Sequence, residues 1–367
     1  MTWLNEYRKR LLFVGCVFVI LFAGGPYAKA DFVFGEPMNM GSLINSSEID
    51  ASPIMTPDGL QLYFGSDRAG GLGGVDLWMS TRPSKDDEWE EPVNLGEPFN
   101  TPDWDIGPSL SADGLEFYFA RINYEEWTGG LWVAKRASID ELWGEPTNLG
   151  PTVNSATVSI GPCISPDSLT LFFYSDESGS ADVWMTTRPT RARPWGPPIN
   201  FESPVNGESW DYWPHITANG LALLFCSDRE GGNGGEDVWM AKRPTASDPW
   251  SSPTALASPA NSEAWDTCPF ISADGSTYLF VSDRDVGQGS YDLWQASVTP
   301  MVDLNSDGIV DAADISIMVD NWGTDDSLCD IGPTPFGDGI VDVQDLIVLA
   351  DHLFEEFSPA EPVDPVE

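Results

Sequence analysis

Five tandem units of 52 to 55 residues, four short β-type runs in each, and a phase in which the chain enters on one run and leaves on the run before it together predict a mainly β fold. The expected architecture is a five-bladed β-propeller of four-stranded blades, followed by a small α-helical C-terminal domain. The units lie between Phe34 and about Thr299. Trp89, Trp143, Trp195 and Trp250 each open a W-x-x-P segment, and Phe34 opens the matching "FGEP". These segments continue as "PVNLG", "PTNLG", "PPINF" and "PTALA".

Next in each unit comes an inner motif: "SPIMTPDG", "PSLSADG", "PCISPDS", "PHITANG" or "PFISADG". An aromatic and aliphatic run follows, such as "LQLYFGSDR", "LALLFCSDR" or "STYLFVSDR", and then "DLWMSTR", "GLWVAKR", "DVWMTTR", "DVWMAKR" or "DLWQASV". Each run is short, rich in aromatic and aliphatic residues, and bounded by Gly, Pro, Asp and Asn, as strands are. Asp-Gly pairs at Asp58, Asp113 and Asp274 lie between two runs, as a hairpin requires, and Asn219-Gly220 takes the same place in the fourth unit. The ring is expected to close by strand exchange. The segment Phe34–Met40 supplies the outer strand of the last blade, beside Asp292–Ser297.

The consensus "SPDGxxLYFxSDRxGGxGGxDLW" resembles the WD40-like PD40 repeat of TolB-type propellers, over all five units. The second unit departs from it, with "ARINYEE" in place of Ser-Asp-Arg and Gly130 where the others have Asp. The resemblance implies a fold. It implies no activity, because propellers host many unrelated ones.

Just before the innermost run of each unit stands an acid: Asp50, Asp105, Asp211 and Asp266, with Ser159 in the third unit. Trp104, Trp210 and Trp265 precede three of them. Ringing one mouth of the channel, carboxylates beside stacking faces would suit a sugar or a cation. Asp105 and Asp266 are the candidates should a carboxylate pair about 5–9 Å apart hydrolyse a glycoside. A residue repeated in nearly every blade also serves the blade itself, by accepting backbone N–H bonds in a turn. The Asp-Arg pairs at 67–68, 228–229 and 283–284, and Asp76, Asp182, Asp237 and Asp292, read as such devices. Trp78, Trp132, Trp184, Trp239 and Trp294 recur as packing. Only His215 and His352 are available for a nucleophilic triad or a zinc site, and neither has the accompanying motif.

Residues 1–30 read as a signal peptide: Arg8-Lys9-Arg10, an apolar stretch from Leu11 to Ala23, and a small-x-small site at Ala28-Lys29-Ala30. An uncleaved anchor is the alternative. The apolar stretch is too short to span a bilayer, so no mature transmembrane segment is expected. Removing this leader, with its four basic residues and one acid, takes the formal charge from −41 to about −44. Such a chain is a poor partner for nucleic acid, whose phosphates need Lys and Arg. It suits a secreted or cell-surface bacterial protein that meets divalent cations or neutral glycans. Cys163, Cys226, Cys268 and Cys329 allow disulfides in that compartment, and buried thiols equally.

The propeller is assigned to 31–299, a calcium module to 300–358 and an acidic tail to 359–367. "DLNSDGIVDAAD" fits an EF-hand-type calcium loop: Asp303, Asn305 and Asp307 at positions 1, 3 and 5, Gly308 at 6, the Ile309 carbonyl at 7, Asp311 at 9 and Asp314 at 12. Asp338, Ile340, Asp342 and Asp345 match positions 5, 7, 9 and 12 of a second loop. Its positions 1 and 3 fall on Thr334 and Phe336, and Asp330 reaches in only if "IGPT" loops out. Two loops, each followed by a helix without an entering helix, resemble a type I dockerin. The family implies calcium as cofactor and a cohesin-like or cell-surface partner. It reads that partner at loop positions that are here Ala312-Ala313 and Val343-Gln344. The expected function is binding of a polysaccharide or protein ligand at the propeller mouth, with docking through residues 300–358. A carboxylate glycoside hydrolase and a TolB-like assembly propeller are the alternatives.

Overall fold

The computed structural model describes residues 32–355 apart from 306, 308, 325, 327–328, 333–336 and 338. The expected leader, the acidic tail, the turn glycine Gly308 and the expected ligand Asp338 lie outside the described residues. The fold is mainly β. Five antiparallel sheets, each of four strands at its core, follow one another along the chain, and the described residues include only three short helices: Gly41–Ile44, Ala312–Asp320 and Val343–Asp351. The innermost strands are Asp50–Met55, Trp104–Leu110, Ser159–Ile164, Asp211–Ile216 and Asp266–Ile271. Each touches the next, and the fifth touches the first, so they enclose a central axis. This is the five-bladed propeller that the repeat predicts.

Closure follows the phase of the repeat. Met38 and Asn39 pair with Gln295 and Trp294, and Phe32–Phe34 pair with Val298–Pro300. The last strand runs to Pro300, three residues past the expected Asp292–Ser297. The outer strands are shorter than the W-x-x-P segments imply, at two residues each, such as Val93–Asn94 and Thr254–Ala255. The preceding proline has no N–H to give the ladder, so pairing starts after it. The tryptophan of the motif instead stacks under an arginine at the end of the third strand. Arg82–Trp89, Arg136–Trp143, Arg188–Trp195 and Arg243–Trp250 are 4.2 to 4.3 Å apart.

Inside each blade a phenylalanine of the second strand faces a tryptophan of the third: Phe64↔Trp78, Phe119↔Trp132, Phe173↔Trp184, Phe225↔Trp239 and Phe280↔Trp294. All five phenylalanines are fully buried, each stabilising its blade by about 2–3 kcal/mol. A second fivefold device escaped the sequence reading. Asn45, Asn100, Asn154, Asn206 and Asn261 each bond through the side-chain amide to both the N–H and the C=O of one third-strand residue. Asn45 does so to Leu293 across the closure, so the seam is clamped like every other blade.

The four described cysteines are free and buried. No helix among the described residues is long and apolar enough to cross a membrane.

Candidate functional site

The acids expected at the channel mouth do head the innermost strands, but their oxygens are engaged within the fold. Asp50, Asp105, Asp211 and Asp266 have no exposed surface. One oxygen of each meets an arginine: Arg68 at 2.5 Å, Arg121 at 2.6 Å, Arg229 at 2.5 Å and Arg284 at 2.9 Å. The other accepts the backbone N–H four residues upstream, from Ser46, Thr101, Gly207 and Ser262. Each guanidinium also lies 4.6 to 5.9 Å from the third-strand tryptophan ring of its blade. Burial pushes the Asp105 carboxyl up to about 6, with Arg121 opposing it. Blade three lacks both charges at once: Ser159 replaces the acid and Glu177 the arginine. The Ser159 hydroxyl, wholly buried, has no partner among the described residues.

Repeat asymmetry is concentrated one turn deeper. Every innermost strand breaks register after its opening pairs, as a bulge does. At the break stands a residue of positive φ followed by proline: Ser52, Gly107, Gly161, Trp213 and Cys268. The bulge aims this residue at the axis, and in blade four it is a tryptophan. A Cβ on Gly161 would lie 2.8 Å from the Trp213 ring, and one on Gly107 3.1 Å from it. Glycine at these two places lets the indole lie across the channel. Trp213 also packs edge-on against Tyr174, with ring centroids 5.3 Å apart. It lines both a small cavity of ≈ 130 Å³ among the bulges and a larger one of ≈ 510 Å³ above them, and so forms the partition between the two.

The larger cavity is an aromatic bowl. Four tryptophans and three tyrosines line it, with Trp213 as the floor. At the rim Trp210 is 60% exposed, Trp127 49% and Trp265 43%, unusual exposure for the largest apolar rings. The Asp of the Ser-Asp-Arg tripeptide sets two of these: Trp210 N–H donates to Asp228 at 2.9 Å, and Trp265 N–H to Asp283 at 2.8 Å. Trp104, the third tryptophan expected here, is not in the bowl. It stacks on Tyr124 at 4.2 Å, and Tyr124 in turn meets Trp127 edge-on. Polar groups are few. Glu236 lies beside the Tyr212 hydroxyl, and Asp176 accepts a hydrogen bond from Val158 N–H at 3.1 Å. Burial raises the Glu236 carboxyl above its ordinary value; the neighbouring Tyr212 hydroxyl opposes this, while Asp228 and Asp283 add to it.

The residues assigned to the calcium loops lie in the C-terminal module. In the first loop Asp307 N–H donates to Asp303 and Asn305, and Ile309 N–H donates to Asp307. Asp314, wholly buried, accepts from Asn305 N–H and Asp311 N–H, and Asp311 caps the helix Ala312–Asp320. The second loop repeats this closure. Asp345 accepts from Gly332 and Asp342 N–H, and Asp342 caps Val343–Asp351. By that match Asp330, which accepts from Gly339 N–H at 2.7 Å, stands where Asp303 stands in the first. The exposed Ile340 follows Gly339 as Ile309 follows residue 308. Among the described residues no three His, Cys, Asp or Glu side chains converge as a ready-made metal site.

The fold and its mouth define a five-bladed β-propeller with an aromatic-lined cup. No protein-family model matches the chain, and no curated protein sequence does. Among solved structures it is similar to a TolB-type protein from Agrobacterium tumefaciens, at 16% identity over 73% of this chain and 98% of that one, with a TM-score of 0.44. It is similar to a thermostable family-43 glycoside hydrolase, at 13% identity over 68% and 89% with a TM-score of 0.46. It is likewise similar to an α-L-arabinofuranosidase from Lactobacillus brevis, at 13% identity over 72% and 94% with a TM-score of 0.46. Likeness at this level carries no residue roles and no activity to this chain.

Proposed function

We propose that this is a secreted propeller that binds a saccharide in the bowl above Trp213 and is docked to a surface or a polysaccharide-degrading assembly by a calcium-stiffened C-terminal module. The observation that carries the reading is the bowl itself. Exposed indole faces at Trp210, Trp265 and Trp127 surround an apolar floor, the shape and chemistry of a small-ligand site. Sugar rings present C–H faces that stack on indole, and the few polar groups below supply orientation.

Hydrolysis by Asp105 and Asp266 is the less supported reading. A general acid or nucleophile must reach the substrate, and both carboxylates are fully buried in ion pairs of separate blades. An assembly propeller remains the reading if no saccharide binds.

For the C-terminal module the donor set is oxygen throughout, which selects a hard cation. Asp303, Asn305, Asp307, the Ile309 carbonyl, Asp311 and Asp314 would hold the first calcium. Asp330, Ile340, Asp342 and Asp345, with Asp338, would hold the second. The ion would neutralise carboxylates crowded beside two helix N-termini and stiffen the surface offered to a cohesin-like or cell-surface partner.

Calorimetry of the full chain against a polysaccharide panel, with reducing-end release assayed in parallel, tests the first claim. Binding without turnover, weakened about tenfold by Trp210→Ala or Trp265→Ala, is expected. Turnover abolished by Asp105→Asn and by Asp266→Asn would replace binding with catalysis. Calcium titration should show uptake that Asp303→Ala with Asp307→Ala reduces. Uptake unchanged in that variant rejects the first loop.

A further inference from the structure

The bowl has a charge preference as well as a shape. Its lining among the described residues holds no lysine or arginine, whereas Glu236 and Asp176 reach into it. Glu236 is half-buried against Tyr212, and Asp228 and Asp283 stand close enough to act on its charge. A carboxyl group is costly to keep in such surroundings unless a positive partner joins it. The arginines of the adjoining Ser-Asp-Arg tripeptides do not serve. Arg229 and Arg284 are already paired with Asp211 and Asp266. The same bowl is lined by Trp210, Tyr212, Trp213 and Trp265, whose ring faces carry negative quadrupole charge. An aromatic cup with a carboxylate at its side and no competing cation is the arrangement that recognises organic ammonium ions.

We infer that the bowl selects a ligand bearing an organic ammonium group, held between the indole faces and the Glu236 carboxylate. The inference rests on the saccharide reading only in its choice of carrier. With a saccharide, the ligand is a deacetylated amino sugar; without one, it is a methylated amine. A neutral sugar offers Glu236 no positive partner. An ammonium substituent gives the carboxylate a charged donor and sets its C–H or N–H groups against the rings. Glu236 is then the residue that decides specificity, and Trp210 and Trp265 supply affinity for either kind of ligand.

The test is calorimetry on the full chain with three probes: a fully deacetylated glucosamine oligomer, the N-acetylated oligomer of equal length, and tetramethylammonium chloride. The glucosamine oligomer should bind about tenfold more tightly than its acetylated form. Glu236→Gln, which keeps the size and polarity of the side chain without its charge, should remove that advantage while the acetylated oligomer still binds. Equal affinity for the two oligomers, or a Glu236→Gln variant that retains the preference, overturns the ammonium inference and leaves saccharide binding standing. Tetramethylammonium binding as tightly as the oligomer supports the inference and removes the saccharide. Absence of binding by all three overturns both. Unchanged circular dichroism and thermal midpoint in Glu236→Gln separate loss of preference from loss of fold, and Trp210→Ala, at an exposed rim position, should weaken both oligomers alike.

Discussion

His215 shows what a single residue does at the joint between two blades. Its Nε2 accepts Ile271 N–H at 3.0 Å from the next innermost strand, and burial lowers its pKa to about 4. The unfolded chain has an ordinary histidine near 6.5 and takes up a proton that the folded chain refuses. Stability is therefore fully present above about pH 6.5 and is lost as pH falls through 4, by about 3 kcal/mol in total. In His215→Gln, which retains an acceptor for Ile271, this part of the acid dependence should vanish. A difference in unfolding free energy between the two proteins that stays constant from pH 7 to 4.5 would count against it. Residues of this kind were legible in part. The sequence marks His215 only as a histidine without a triad or zinc motif; its burial comes from the neighbouring inner strand, which no single run reveals. The five asparagines were overlooked although each stands five positions before the strand-heading acid or Ser159, a spacing as regular as that of the tryptophans. An asparagine in a Pro- and Gly-rich stretch reads as turn chemistry. Nothing local to it reveals that its amide substitutes for a strand neighbour some twenty residues or more away.

Blades and their bulges are the scale at which the site is made. Gly161→Ala forces a methyl to 2.8 Å from Trp213 at φ +62, with a predicted cost of about 1–3 kcal/mol. Part of that cost is steric and should disappear in a Trp213→Ala background. A double-mutant cycle by urea unfolding measures the coupling, and strictly additive effects would mean that the indole does not rest there. Blade three supplies the complementary case. Ser159→Asp alone buries an unpaired carboxylate and is expected to cost about 3 kcal/mol or more. Glu177→Arg added to it should restore most of the loss by recreating the pair found in the other four blades. No recovery in thermal midpoint would argue that the pair is not what the other blades rely on. The blade pattern was legible because period and turn chemistry repeat five times. The bowl was only half legible: Trp210 and Trp265 were found by their place in the repeat. Trp213, Tyr174, Tyr212, Tyr291 and Glu236 were missed because they are the positions where the units differ, and a consensus discards them.

At the scale of the molecule, the ring holds because its first and last segments share a blade. Deleting residues 32–40 removes the partners of Gln295 and Trp294 and takes away the buried Phe32 and Phe34, uncovering the Tyr278 and Val298 they pack with. The apolar part alone should lower stability by about 3–6 kcal/mol, read as a drop in the urea midpoint. A midpoint unchanged by the deletion would show that blade five stands without its outer strand. Time enters here as well as strength. The pairing of Asn39 with Trp294 joins residues 255 positions apart, so a chain leaving the ribosome carries its closing segment unpartnered until the final blade has emerged. Until that pair forms, blade five lacks its outer strand, and an unpaired strand edge is where neighbouring chains add on.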